Sequence, residues 1–190
     1  MESGLERKYN FEIVRWFTVM AVIYLVVGAA VGVYFASELA WPFLNFDSPY
    51  LSFGRLRPVH TNAVIFAFGG CALMATAFYS VQRTCGVRLW SDKMAWFTFW
   101  GWNTVIVLAV ITLPLGFSQA KEYAELEWPV DILIAVVWLS FTINFIMTLA
   151  TRKSSHIYVS NWFFLGMMVM IVYLHVVNSL AIPVGMFKSY

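Results

Sequence analysis

Long apolar runs alternate with short polar punctuation along this chain, and five of the runs match the thickness of a bilayer. A helix rising 1.5 Å per residue needs about 20 apolar residues to cross the hydrocarbon core. Such runs fall at about 14–36, 59–81, 94–115, 129–151 and 157–179. None shows the two-residue alternation of a membrane β-strand. The pattern therefore predicts an all-α integral membrane bundle of five transmembrane helices, with residues 1–190 forming one transmembrane domain. Gly28 and Gly32 make a GxxxG pair in the first helix, a signal for close helix packing. The connection 37–58 contains Trp41-Pro42 and Ser48-Pro49-Tyr50, which break a continuous helix. Its Trp41, Phe43 and Phe46 suit the membrane interface. Pro129 fits the first turn of the fourth helix. Residues 1–10 are polar and read as loose. Glu2, Glu6 and Glu12 precede a first run too long for a signal-peptide core, so that run reads as an uncleaved anchor.

Composition agrees with the pattern. Of 190 residues, 61% are hydrophobic and 12% charged, against about 45–50% and 25% in soluble domains. The net charge of +2 argues against nucleic acid as a partner. Cys71 and Cys85 lie on one predicted helix, about 20 Å apart at 1.5 Å per residue. That excludes a disulfide.

The basic residues suggest an orientation. Arg7, Lys8, Arg15, Arg83, Arg88, Lys93, Arg152 and Lys153 fall at one end of the bundle; Arg55, Arg57, Lys121 and Lys188 fall at the other. The richer end is expected in the cytoplasm, with the N-terminus.

Candidate chemistry gathers at the other end. The stretch Arg55-Leu-Arg-Pro-Val-His60-Thr-Asn opens the second helix. His60 offers a ring nitrogen to a metal or a heme iron, or serves as a hydrogen-bonded structural residue. At helical spacing the face below it carries Ala63, Ala67, Gly70 and Cys71. These small residues leave room for a flat macrocycle or for a closely packed second helix. Arg57, one turn before His60, and Arg55 could fork onto acidic groups such as heme propionates, or snorkel to the interface. Glu122 and Glu125 would share a face if their stretch were helical. Two carboxylates with nearby carbonyls begin a calcium site. Alternatively Glu125, Glu127 and Asp131 favour the positive end of the fourth helix. His175 is expected at roughly the depth of His60. It could clamp a heme with His60, or bond a neighbour such as Asn178. His156 reads as a surface residue. Asn103, Asn144 and Asn161 read as interhelical hydrogen-bonders.

The string Arg55-Leu-Arg-Pro-Val-His60-Thr-Asn-Ala-Val-Ile-Phe-Ala-Phe-Gly-Gly-Cys-Ala resembles the second helix of the catalytic subunit of cbb3-type cytochrome c oxidases. Lys121-Glu-Tyr-Ala-Glu-Leu-Glu-Trp-Pro129, Phe99-Trp-Gly-Trp102 and His156-Ile-Tyr-Val-Ser-Asn-Trp-Phe-Phe164 resemble the same subunit. The wider family is the heme–copper oxidases, which include bacterial nitric oxide reductases. The resemblance implies that His60 is an axial ligand of a low-spin heme b. It implies propionate contacts for Arg57 and Arg55, and a calcium near the propionates held by Glu122 and Glu125. It implies electron flow from cytochrome c through heme b to a high-spin heme b3 and copper, where oxygen is reduced and protons are translocated. Its expected partners are the remaining helices of a twelve-helix subunit, membrane-anchored c-type cytochrome subunits and the lipid bilayer. Its expected place is a bacterial cytoplasmic membrane, with the His60 end toward the periplasm. The copper and high-spin heme ligands of the family belong to later helices, so no catalytic residue is assigned here, and the chain reads as the N-terminal part of that subunit. The alternatives are a nitric oxide reductase-like subunit, or a non-catalytic membrane subunit that binds heme b.

Overall fold

The structure, a computed structural model, describes residues 8–179, 182–186 and 188–189. Among the described residues, five helices are long and apolar enough to cross a membrane: α1 (Phe11–Glu38), α2 (Phe53–Cys85), α3 (Asp92–Leu115), α4 (Trp128–Ala150) and α5 (Val159–Asn178). The predicted all-α bundle is observed, and each predicted helix is present. Two short strands, Pro183–Gly185 and Lys188–Ser189, pair antiparallel after α5.

Local chemistry starts the helices where they start. Asn10 caps α1, its Oδ1 accepting from the Ile13 N–H at 3.2 Å. Ser91 caps α3, accepting from the Met94 N–H at 3.2 Å, and Asp92 in that first turn favours the positive helix end. Pro129 occupies the first turn of α4 as predicted.

The N-terminal stretch departs from expectation where it is described. Residues 1–7 of the predicted loose stretch lie outside the described residues, but Tyr9 and Asn10 are buried. Gln82 explains this. Its Oε1 accepts from the Asn10 N–H at 2.6 Å, and the Asn10 amide donates to Asp92 at 2.7 Å. Arg88 grips Asp92 and also donates to the Tyr9 carbonyl at 3.2 Å. A polar sequence was thus recruited by polar groups on α2 and α3.

The three asparagines expected between helices are found there. Asn103 of α3 accepts from Tyr24 of α1 at 2.5 Å. Asn144 of α4 bonds both the N–H and the carbonyl of Ser91, each at 3.0 Å. Asn161 of α5 donates to Thr84 of α2 at 2.9 Å. The main core lies toward this same end, around Phe17, Phe78, Phe99, Phe141 and Phe145. Cys71 and Cys85 are buried free thiols within it.

α2 differs most from its predicted form. It begins at Phe53, six residues before the predicted start, and so includes Arg55, Arg57 and Pro58. Residues Ala63–Gly69 are wound as a π-helix. Each π turn holds an extra residue, which rotates everything downstream by about 100° relative to a regular helix. The small face predicted from 3.6-residue spacing is therefore split. Ala63 packs on Gly28 of α1, where a Cβ would lie 3.1 Å from the Ala63 methyl. Gly70 instead faces α3, where its Cβ would lie 2.7 Å from the Trp102 ring. Ala67 and Cys71 are buried in the main core. Of the two uses weighed for this face, the structure shows close helix packing.

Candidate functional site

At the end opposite the N-terminus, the start of α2 meets the connection between α3 and α4. A second apolar cluster holds them together: Val59 of α2, Val105, Ala109 and Leu113 of α3, Leu126 of the connection and Val130 of α4. Leu126 pins the connection down, and its neighbours Glu125 and Glu127 are buried with it. The segment between Gly116 and Glu127 is not helical, and Tyr123 takes the left-handed conformation at φ 61°. The helical turn on which Glu122 and Glu125 would share a face is therefore not formed. The turn closes instead through the Gln119 N–H on the Glu125 carbonyl at 2.8 Å and the Ala124 N–H on the Lys121 carbonyl at 3.1 Å.

The two acids have different environments. Glu125 is buried, and its Oε2 accepts from the Asn62 amide at 3.1 Å. Asn62 is itself steadied by donating to the Pro58 carbonyl at 2.8 Å. Glu122 is exposed and pairs with Arg57 at 3.0 Å, the two side chains being 60% and 46% accessible. Arg55 reaches α3: a Cβ at Gly116 would lie 2.5 Å from its guanidinium nitrogen Nη1. Gly116 closes α3 at φ 88°, a conformation that favours glycine. Its missing side chain also admits Arg55 to the negative end of that helix.

His60 is half-buried and turns toward α1. Its Nδ1 lies 2.7 Å from the Gly28 carbonyl. A carbonyl oxygen only accepts, so Nδ1 carries a proton and Nε2 is the nitrogen left to offer a lone pair to a metal. Phe35 meets the ring edge-on at 5.4 Å. A histidine whose Nδ1–H is fixed by a carbonyl has the orientation and tautomer that a metal-binding Nε2 requires. The donor chemistry at His60 fits an axial ligand of heme iron, and the adjacent Arg57 and Arg55 fit its carboxylates.

The structure thus brings Arg55, Arg57, Glu122 and Glu125 into one corner at the His60 end of α2. It does not gather the acids into a cluster: among the described residues, no three of His, Cys, Asp or Glu converge as metal ligands. His175 is held by α4, its Nε2 2.9 Å from the Asp131 carbonyl, rather than by Asn178. His156 is exposed, as expected. Three contributors were missed from the sequence. Asn62 was visible only as a polar residue beside His60. Gly28 and Gly32 were legible as a packing motif but not as the seat of the His60 ring.

The family described as Cytochrome C and Quinol oxidase polypeptide I matches residues 12–190 of this chain. The chain is 59% identical over 190 residues to "Cbb3-type cytochrome c oxidase subunit CcoN1" of Stutzerimonas stutzeri, covering 100% of this chain and 40% of that protein. It is 52% identical over 185 residues to "Cytochrome c oxidase subunit 1" of Rhodobacter capsulatus, covering 96% of this chain and 35% of that one. It is 50% identical over 185 residues to "Cytochrome c oxidase subunit 1 homolog" of Agrobacterium tumefaciens (strain T37), covering 96% and 34%. The chain thus spans between a third and two-fifths of the length of these relatives.

Proposed function

The chain belongs to the Cytochrome C and Quinol oxidase polypeptide I family, and from that premise we propose that it works within the catalytic subunit of a cbb3-type terminal oxidase. In this reading the subunit takes electrons from cytochrome c, reduces oxygen at a high-spin heme b3 and copper, and translocates protons. His60 is one axial ligand of a low-spin heme b. The carrying observation is the 2.7 Å bond from His60 Nδ1 to the Gly28 carbonyl, which leaves Nε2 as a ligand. When bound, the heme supplies one-electron transfer. The chain's own residues hold it. His60 presents Nε2, and Arg57 and Arg55 balance the charge of its carboxylates, which would be costly to desolvate unpaired. The names of these three relatives, each a cytochrome c oxidase subunit or homolog, support oxygen over nitric oxide as the substrate.

A calcium role for Glu122 and Glu125 belongs to the same proposal, with a condition set by the geometry. Glu125 is the anchored acid, held by Asn62. Glu122 is already in an ion pair with Arg57, so a cation binding there must displace or share that pair.

The proposed location is a bacterial cytoplasmic membrane, with the N-terminus inside and c-type cytochrome subunits docking from the periplasm. The bias of basic residues, eight at the N-terminal end against four at the His60 end, supports it.

His60→Ala in the full-length complex tests the reading. The low-spin heme spectrum should vanish, whereas Arg57→Ala should keep the heme and shift its potential. His175→Ala should retain the spectrum. Loss of the low-spin signal with His175 rather than His60 would overturn the assignment.

A further inference from the structure

Three residues of α1, at successive turns of one stripe, surround the His60 ring. The Gly28 carbonyl fixes Nδ1 at 2.7 Å. At Gly32 a Cβ would stand 2.6 Å from Cε1 and 2.7 Å from Nδ1 of the ring, so the imidazole fits only because that side chain is absent. Phe35 meets the ring at an interplanar angle of 61°, and packs edge-on against Phe53 at 5.1 Å, where α2 begins. The torsion that turns an imidazole about its Cβ–Cγ bond is broad and soft. Neighbours therefore decide the ring plane. Here one neighbour sets the position of Nδ1, one sets the ring's approach to α1, and one limits its rotation.

We propose that Gly32 and Phe35 are positioning residues that set the plane of the His60 imidazole and so tune the heme it ligates. This rests on the axial-ligand reading above. The orientation of an axial imidazole governs its overlap with the iron d orbitals, and the bond at its other nitrogen governs its basicity. α1 contributes no ligand, yet it controls both.

The test uses the purified full-length holoenzyme, read by electron paramagnetic resonance of the ferric low-spin heme and by redox titration. Gly32→Ala forces the ring to turn or α1 to retreat. It should displace the low-spin g-values and shift the midpoint potential at unchanged heme content. Phe35→Leu introduces no clash and frees the rotation, so it should produce a smaller displacement of the same signals. Gly101→Ala is the steric control. Its Cβ would lie 2.5 Å from a Val137 methyl between α3 and α4, a similar intrusion elsewhere in the bundle. That variant should leave the g-values at the wild-type position. Unmoved signals in both Gly32→Ala and Phe35→Leu overturn the proposal, as does an equal displacement in Gly101→Ala. If Gly32→Ala does not assemble, Phe35→Leu decides. His60→Ala separates the two levels. A low-spin signal surviving without His60 sinks the ligand reading and the positioning role with it. A signal lost with His60 but unmoved by Gly32→Ala and Phe35→Leu sinks the positioning role alone.

Discussion

Glu122 and Glu125 stand three residues apart in one turn, yet truncating them should have very different consequences. The Arg57–Glu122 pair is 46% and 60% accessible, and exposed pairs contribute about 0.2–1 kcal/mol. Glu125 is 5% accessible and accepts a hydrogen bond from Asn62. Bonds to a charged group contribute about 1.5–3 kcal/mol. The lower half of that range is expected, because Asn62 keeps its second bond to the Pro58 carbonyl. Hydrogen exchange of the Gln119 amide reads the difference directly, since that N–H donates to the Glu125 carbonyl and is released when the turn opens. Every 1.4 kcal/mol is about a tenfold change in the open population. Measured in the full-length protein with divalent cations chelated, Glu125→Ala should accelerate this exchange about 10- to 40-fold. Glu122→Ala should accelerate it only about 1.5- to 5-fold, and salt should erase that smaller effect. Calcium added back should slow exchange in the wild type and in neither variant. Equal acceleration in the two variants, or a larger one in Glu122→Ala, would refute the ranking drawn from burial. Undiminished calcium protection in both variants would refute the cation role.

Orientation is checked with single cysteines in intact cells: one at Ser118 should react with an impermeant reagent and one at Ser91 should not, while the native Cys71 and Cys85, both buried, stay silent. The reverse pattern would invert the topology. Asn144→Leu removes two bonds to Ser91 without opening a cavity. At about 0.6–1 kcal/mol each, the loss should lower the thermal midpoint by about 2–8 °C; an unchanged midpoint would show that water replaces those bonds. Gly70→Ala drives a methyl against the Trp102 ring and should cost about 1–3 kcal/mol. Gly166→Ala, which meets nothing within 4 Å, should be neutral in the same thermal assay.

The number and class of the helices were legible in the chain because the bilayer imposes one rule on every span: about 20 apolar residues, with backbone groups satisfied internally. Interhelical roles for Asn103, Asn144 and Asn161 were legible for the same reason, since a polar side chain at membrane depth must find a partner. The GxxxG of α1 announced close packing, and the long strings around His60 and Glu122 announced the family.

What packs against what was settled only in three dimensions. The π-wound segment of α2 has no periodic signature in sequence, yet it turns Gly70 toward α3 while His60 faces α1. Tyr9 and Asn10 read as loose because their burial depends on Gln82, Asp92 and Arg88, more than seventy positions away. Glu122 and Glu125 would share a face on a helical turn, but Leu126, drawn into an apolar cluster from three helices, holds the segment in a closed turn instead. Spacing records what a residue's own helix does with it. The partner that fixes a tautomer, such as the Gly28 carbonyl on His60, comes from another helix and leaves no local trace, because a backbone carbonyl is the same at every position.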